Sequence, residues 1–151
     1  MIGLTIPVVA LSDDGEKLCD RVAGRPCIRI GFSWEQLDGP TADDPRIKWT
    51  YGMIDTGADI IAVDAAFANP VAALKVPHKT WEAHTVSGPA DMQIYKGFLF
   101  VANSSRCIPV AMEFGTAPMN HGYKIVLGRS FLDHTTFTYN RTHGIKKIVI
   151  G

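Results

Sequence analysis

Met53-Ile54-Asp55-Thr56-Gly57-Ala58-Asp59 is the stretch on which the reading of this chain turns. An apolar run, Trp49 to Ile54, ends in a carboxylate, followed by a small hydroxyl residue and a glycine. The plainest reading is a turn, because Asp bonds nearby backbone and Gly admits positive φ. The run before it adds something. A strand that carries a carboxylate into apolar surroundings disfavours its charged form. If a second carboxylate stands within a few ångströms, the two share one proton and titrate as a pair. Such a pair can hold a water, take its proton and give another to a carbonyl oxygen. That is general acid–base amide hydrolysis without a covalent intermediate.

Outward from this stretch, strand signals dominate. Ile2, Leu4, Ile6, Val8 and Ala10 fall on one face at period two. Pro7 cannot donate to a ladder, which places that strand at an edge. Cys27 to Phe32 alternates as a second strand, and the polar stretch 33–48, with Asp38-Gly39-Pro40 and Asp43-Asp44-Pro45, is a loop. Ile60 to Val63 follows the Asp55 turn. His78–Val86 and Met92–Val101 flank a turn-rich centre, Ser87-Gly88-Pro89-Ala90-Asp91, and read as a hairpin. Arg106–Phe114 and Lys124–Leu127 are further strands. Thr135–Tyr139 and Ile145–Ile150 form a second hairpin around Asn140–Gly144. Helix is confined to a short turn over Arg129–His134 and a stretch from Asp64 to Leu74 broken by Pro70. Many short strands with frequent turns indicate an all-β barrel or sandwich, and the length of 151 residues indicates one domain.

Ile54-Asp55-Thr56-Gly57-Ala58-Asp59 resembles the active-site segment of retroviral-type (retropepsin-like) aspartic proteases. The family's second element, two apolar residues and then Gly-Arg, is matched by Ile125-Val126-Leu127-Gly128-Arg129, with Gly128 73 residues after Asp55. Ala83 to Tyr95 falls where the family carries its flap hairpin. The resemblance covers about Trp49 to Leu132. It implies an all-β acid-protease barrel with a short helix near the C-terminal part, and a homodimeric aspartic endopeptidase that uses one Asp55 from each chain.

The same resemblance implies the individual roles. Asp55 is the catalytic carboxylate, Thr56 bonds to its counterpart in the partner chain, and Gly57 offers its carbonyl to substrate backbone. Asp59 binds backbone further along the peptide and pairs with Arg129, a fork donor suited to a carboxylate. Gly128 makes room for the Asp55 loop. Ala58, Ile60, Val86, Ser87, Gly88, Pro89 and Val126 contact substrate, with Ile60, Val86 and Val126 as apolar pocket walls. Ala58 offers no hydroxyl to the catalytic carboxylate, so activity is expected at mildly acidic to near-neutral pH. Three features depart from the short viral enzymes: 54 residues precede Asp55, the 33–48 loop is extra, and the flap tip has Pro89 in place of paired glycines. The strand Ile145–Ile150 need not be the interleaved dimer strand of those enzymes, which leaves open how a dimer is knitted.

Composition narrows the alternatives. Basic and acidic residues balance at 15 each, which argues against nucleic acid or an anionic membrane as the main partner. The apolar run Ile2–Leu11 has no preceding Lys or Arg and is interrupted by Pro7, so it fails as a signal peptide, and the expected location is cytoplasmic. Cys19, Cys27 and Cys107 form no C-x-x-C pair, and Cys27 and Cys107 lie in apolar runs, as buried thiols do. His78, His84, His121, His134 and His143 show no metal-ligand spacing, so no metal or cofactor is expected. Gly128-Arg129-Ser130 lacks the final glycine of a nucleophile elbow, and no phosphate-binding glycine loop occurs. The competing reading is a catalytically silent dimeric module that keeps the fold for peptide binding or oligomerisation, since fold does not imply activity.

Overall fold

In the computed structural model, residues 3–12, 24–85, 88–119, 122–140 and 142–151 are described. Within them the chain runs β1 (Leu4–Pro7), β2 (Val9–Leu11), β3 (Arg25–Ser33), β4 (Lys48–Ile54), β5 (Ala62–Asp64), α1 (Ala65–Ala68), β6 (Lys79–Thr85) and β7 (Gly88–Ala102). It continues with β8 (Cys107–Ala117), β9 (Ile125–Leu127), α2 (Arg129–Leu132), β10 (Thr135–Asn140) and β11 (Ile145–Ile150). Eight strands form one sheet in the order β2-β3-β4-β9-β5-β8-β7-β6. A further pairing of β3 with β7, Gly31↔Phe100 to Ser33↔Phe98, closes six of them into a barrel. A three-stranded sheet, β1-β11-β10, packs alongside.

The core follows from the alternation. Leu4, Ile6 and Val8 from the N-terminal segment meet Ile28, Ile30, Phe32, Ile125, Leu127, Phe131 and Ile148 in one buried cluster. Burying each such side chain contributes about 1.5–3 kcal/mol. β3 is buried on both faces because Ile28, Ile30 and Phe32 face the main core while Cys27 and Gly31, on its other side, are covered by the cluster of Leu11 and Met53 and by Ile47 and Trp49. β4 changes along its length, exposed at Lys48 and buried over Gly52–Ile54, so it carries Asp55 out from the core rather than across the surface. Aromatic rings fill one end of the barrel: Trp34 lies 5.2 Å from Phe32 and 5.4 Å from Phe114, and its Nε1 donates to the Ala68 carbonyl at 2.8 Å.

Several sequence expectations shift. The helix expected from Asp64 is one turn long. Asp64 caps it by accepting from the Phe67 amide, and Asn69 ends it in the left-handed region, where the residue before Pro70 avoids helical geometry. It is a second helix beside α2. The turn expected over Ser87–Asp91 is tighter, because the ladder pairs His84 with Pro89 and Thr85 with Gly88. Strand therefore runs through Pro89, and only residues 86 and 87 connect β6 to β7; they lie outside the described residues. β8 extends to Ala117, three residues past the expected end, since its parallel pairing with β5 reaches that far. Ile2 and Cys19 also lie outside the described residues. Cys27 is fully buried, whereas Cys107 is half-buried at the start of β8. No helix among the described residues is long and apolar enough to cross a membrane.

Candidate active site

The Asp55 loop is built from backbone. β4 and β9 are parallel neighbours, Gly52↔Ile125 to Ile54↔Leu127, and the ladder continues as the Asp55 amide donates to the Leu127 carbonyl at 3.0 Å. β9 also pairs antiparallel with β5, so both limbs of the loop flank one short strand. Beyond β9 the chain turns behind the loop. The Arg129 amide donates to the Ala58 carbonyl at 2.8 Å and the Ser130 amide to the Asp59 carbonyl at 3.0 Å. The Ile61 amide in turn donates to Ser130 Oγ at 3.2 Å. Each such bond contributes roughly 1 kcal/mol net. Gly128 sits at the crossing. A Cβ there would stand 2.4 Å from the Ile60 carbonyl oxygen and 2.7 Å from that of Ala58, so the loop passes only because position 128 has no side chain.

Within the loop, the Gly57 amide donates to Asp55 Oδ1 at 2.9 Å, and the Ala58 amide to the Asp55 carbonyl at 3.2 Å. Asp55 is half-buried, and Thr56 and Gly57 are exposed. Arg129 Nη2 donates to Asp59 Oδ1, so the two charges singled out in the sequence meet beside the loop. Beneath it lies a second apolar cluster, Leu11, Cys27, Met53, Tyr123 and Val126, with Ala58 and Ala62 packed against it. Burial there pushes the Cys27 thiol up to about 11, only partly offset by the Tyr123 hydroxyl and Arg25, so the thiol stays protonated at neutral pH.

The remaining sequence-derived residues divide. Ala58, Asp59, Ile60 and Val126 lie in or under the loop. Gly88 and Pro89 lie on the hairpin of β6 and β7, with Pro89 exposed, and Val86 and Ser87 fall outside the described residues. Ile60 also lines a cavity of about 280 Å³ that the sequence did not disclose, together with Trp81, Ile94, Met112, Phe114 and Ser130. Trp81 and Met112 are 39% and 66% exposed, large apolar side chains left open to solvent beside the cavity they line. Their sequence positions, on two strands that meet only through β7, carry no signal of it. Glu113, at the same cavity, accepts from His78 Nε2 at 2.7 Å and pairs with Lys79 at 3.3 Å. No group of three His, Cys, Asp or Glu among the described residues is arranged to hold a metal ion.

No protein-family model matches this sequence, and no curated protein matches it. Solved structures do. A retropepsin-like aspartic protease from Rickettsia conorii superposes with a TM-score of 0.52 at 11% identity, covering 99% of this chain and 95% of that one. The crystal structure of edgp superposes with a TM-score of 0.54 at 12% identity, and this chain spans 46% of its length. The protease of simian foamy virus (mac) matches at a TM-score of 0.43 and 18% identity over 71% of this chain and 91% of its own. A six-stranded barrel closed by β3 and β7, a carboxylate loop backed by β9 and a superposition along almost the whole chain give one conclusion: the fold is retropepsin-like.

Proposed function

We propose that two copies of this chain form an aspartic endopeptidase, each supplying one Asp55. The observation that carries this reading is the setting of Asp55 in a retropepsin-like fold. It is half-buried at the end of a core strand, and its carboxylate is held by the Gly57 amide in a loop backed by β9 and Gly128. The chain holds one Asp-Thr-Gly, so a two-fold axis through the site must bring the second carboxylate, as isologous contacts bring equivalent residues together.

In the reaction, water adds its oxygen to the peptide carbonyl carbon while its proton passes to the ionised member of the Asp55 pair. The protonated member gives its proton to the carbonyl oxygen. Collapse of the resulting diol breaks the C–N bond: the protonated member of the pair gives its proton to the leaving nitrogen while the other takes a proton from a diol hydroxyl, which restores the singly protonated pair. Thr56, exposed beside Asp55, would bond to its counterpart across the axis. Gly57 and Asp59 would hold an extended peptide by its backbone, with Arg129 orienting Asp59. Ala58, Ile60 and Val126 would contact side chains of the peptide, and Val86, Ser87, Gly88 and Pro89 would cover it. The scheme needs no metal or cofactor. The substrate is a protein or peptide, not nucleic acid or a membrane.

The test is cleavage of a mixed peptide pool between pH 4 and 7 by the native chain and by Asp55→Asn. Loss of general acid–base catalysis should cost about 10²–10⁴-fold or more. Equal cleavage by both, or none by a native dimer, would leave the silent peptide-binding module standing instead. A peptide mimic with a hydroxyl at the scissile position should bind the native dimer and lose affinity with Asp55→Asn.

A further inference from the structure

Four strand edges end the two sheets among the described residues: β2 and β6 in the large sheet, β1 and β10 in the small one. An open edge is a row of unpaired N–H and C=O groups that templates another strand unless it is short, charged or broken by proline. β2 has three residues. β1 has four and ends on Pro7. β6 carries Lys79 and Glu82. β10, Thr-Thr-Phe-Thr-Tyr-Asn, has six residues with neither charge nor proline, five of them β-branched or aromatic. β11 offers no edge at all, because β1 pairs along one side and β10 along the other.

The β10 edge is also joined to the Asp55 loop by a short path. α2 starts at Arg129, whose amide holds the Ala58 carbonyl, and ends at Leu132, whose carbonyl accepts from Thr135 Oγ1 at 2.8 Å as β10 begins. A body docked on β10 is therefore held by the same element that backs the candidate site, and that site lacks half of its carboxylate pair within one chain. We infer that β10 pairs antiparallel with β10 of a second copy across a two-fold axis. The result is a continuous six-stranded sheet, and this pairing assembles the site. The inference rests on the peptidase reading only for what the dimer does, not for where it forms.

The test uses the full chain with Thr136→Lys and Thr138→Lys together. Both positions lie on one face of the edge strand, and across the axis they would set like charges together. Sedimentation, with and without a hydroxyl-bearing peptide inhibitor, should give a two-chain mass for the native protein and a one-chain mass for the variant. The variant's circular dichroism should be unchanged, and its cleavage should fall at least tenfold at equal concentration. A variant that keeps the two-chain mass, or a native chain that stays single even with inhibitor, overturns the inference. Single cysteines at Thr136 and Thr138 decide the matter should the lysines prevent folding. At least one should give an oxidised two-chain band that Thr5→Cys on β1 does not, and no such band from either overturns it. A dimer broken by the lysines but without native cleavage keeps this interface and removes the peptidase reading. An active dimer indifferent to them does the reverse.

Discussion

The Asp55 loop and the hairpin of β6 and β7 belong to the same sheet, yet opposite means hold them. Backbone locks the loop from three sides: Leu127 at its start, Arg129 and Ser130 behind it, and the Gly115 amide on the Ile61 carbonyl at its end, at 2.9 Å. The hairpin has its own ladder and little else, since Lys79 to Glu82 and Pro89 to Asp91 are exposed. Only its root is tied, where the His78 amide donates to the Ile94 carbonyl at 2.8 Å and Glu113 on β8 grips His78 and Lys79. A reacting group must be held to within tenths of an ångström, and backbone crossings do that whatever the side chains are. On the proposed reading the hairpin is the cover of the site, and a ladder tied at one end leaves it freer to open and close than the loop.

The contrast can be broken most severely at Gly128. Gly128→Ala drives a methyl into two backbone carbonyls that cannot swing aside, so it should cost ~3 kcal/mol or more and lower Tm accordingly in thermal unfolding. Glu82→Ala on the exposed hairpin should stay within about 0.5 kcal/mol. Hydrogen exchange sharpens the same contrast. The Ile61 and Arg129 amides should exchange orders of magnitude more slowly than those of Thr80 to Glu82, and equal protection would abolish the distinction.

A smaller effect is expected at the ion pair beside the loop. Asp59 and Arg129 are 56% and 60% exposed, so Arg129→Ala should cost only about 0.2–1 kcal/mol of stability. If the chain is the peptidase proposed above, its larger consequence should be a raised KM for peptides, from an Asp59 no longer oriented. The smallest effect is at the hairpin root. Burial pushes the Glu113 carboxyl up, but the bonds from His78 and Lys79 outweigh it, and the net value lies below the ordinary 4.5. A carboxyl lowered in the folded state stabilises fully above its unfolded value and loses that contribution as pH falls through its folded value. Protection of the β6 amides, taken relative to their intrinsic exchange rates, should therefore fall between about pH 5 and pH 3 in the native chain, and Glu113→Gln should flatten that dependence.

Much of this was legible in the residues, and the limits have a common cause. Trp49–Ile54 running into Asp55-Thr56-Gly57 announces a strand that presents a carboxylate on a turn, because period-two burial and turn chemistry are written in neighbouring residues. The same holds for Gly128-Arg129, for the single turn of α2 and for Thr135–Tyr139 against Ile145–Ile150. Only the folded chain decided that β4 lies parallel to β9, that β3 closes on β7, and that Pro89 sits in a strand rather than a turn. It also decided that β11 is enclosed and that β10, among the described residues, is a sheet edge with neither charge nor proline, and that Ile60, Trp81 and Met112 wall one cavity. A strand's existence depends on its own sequence. Its partner depends on which distant segments can be brought alongside while burying both, and that choice is made by the whole chain at once.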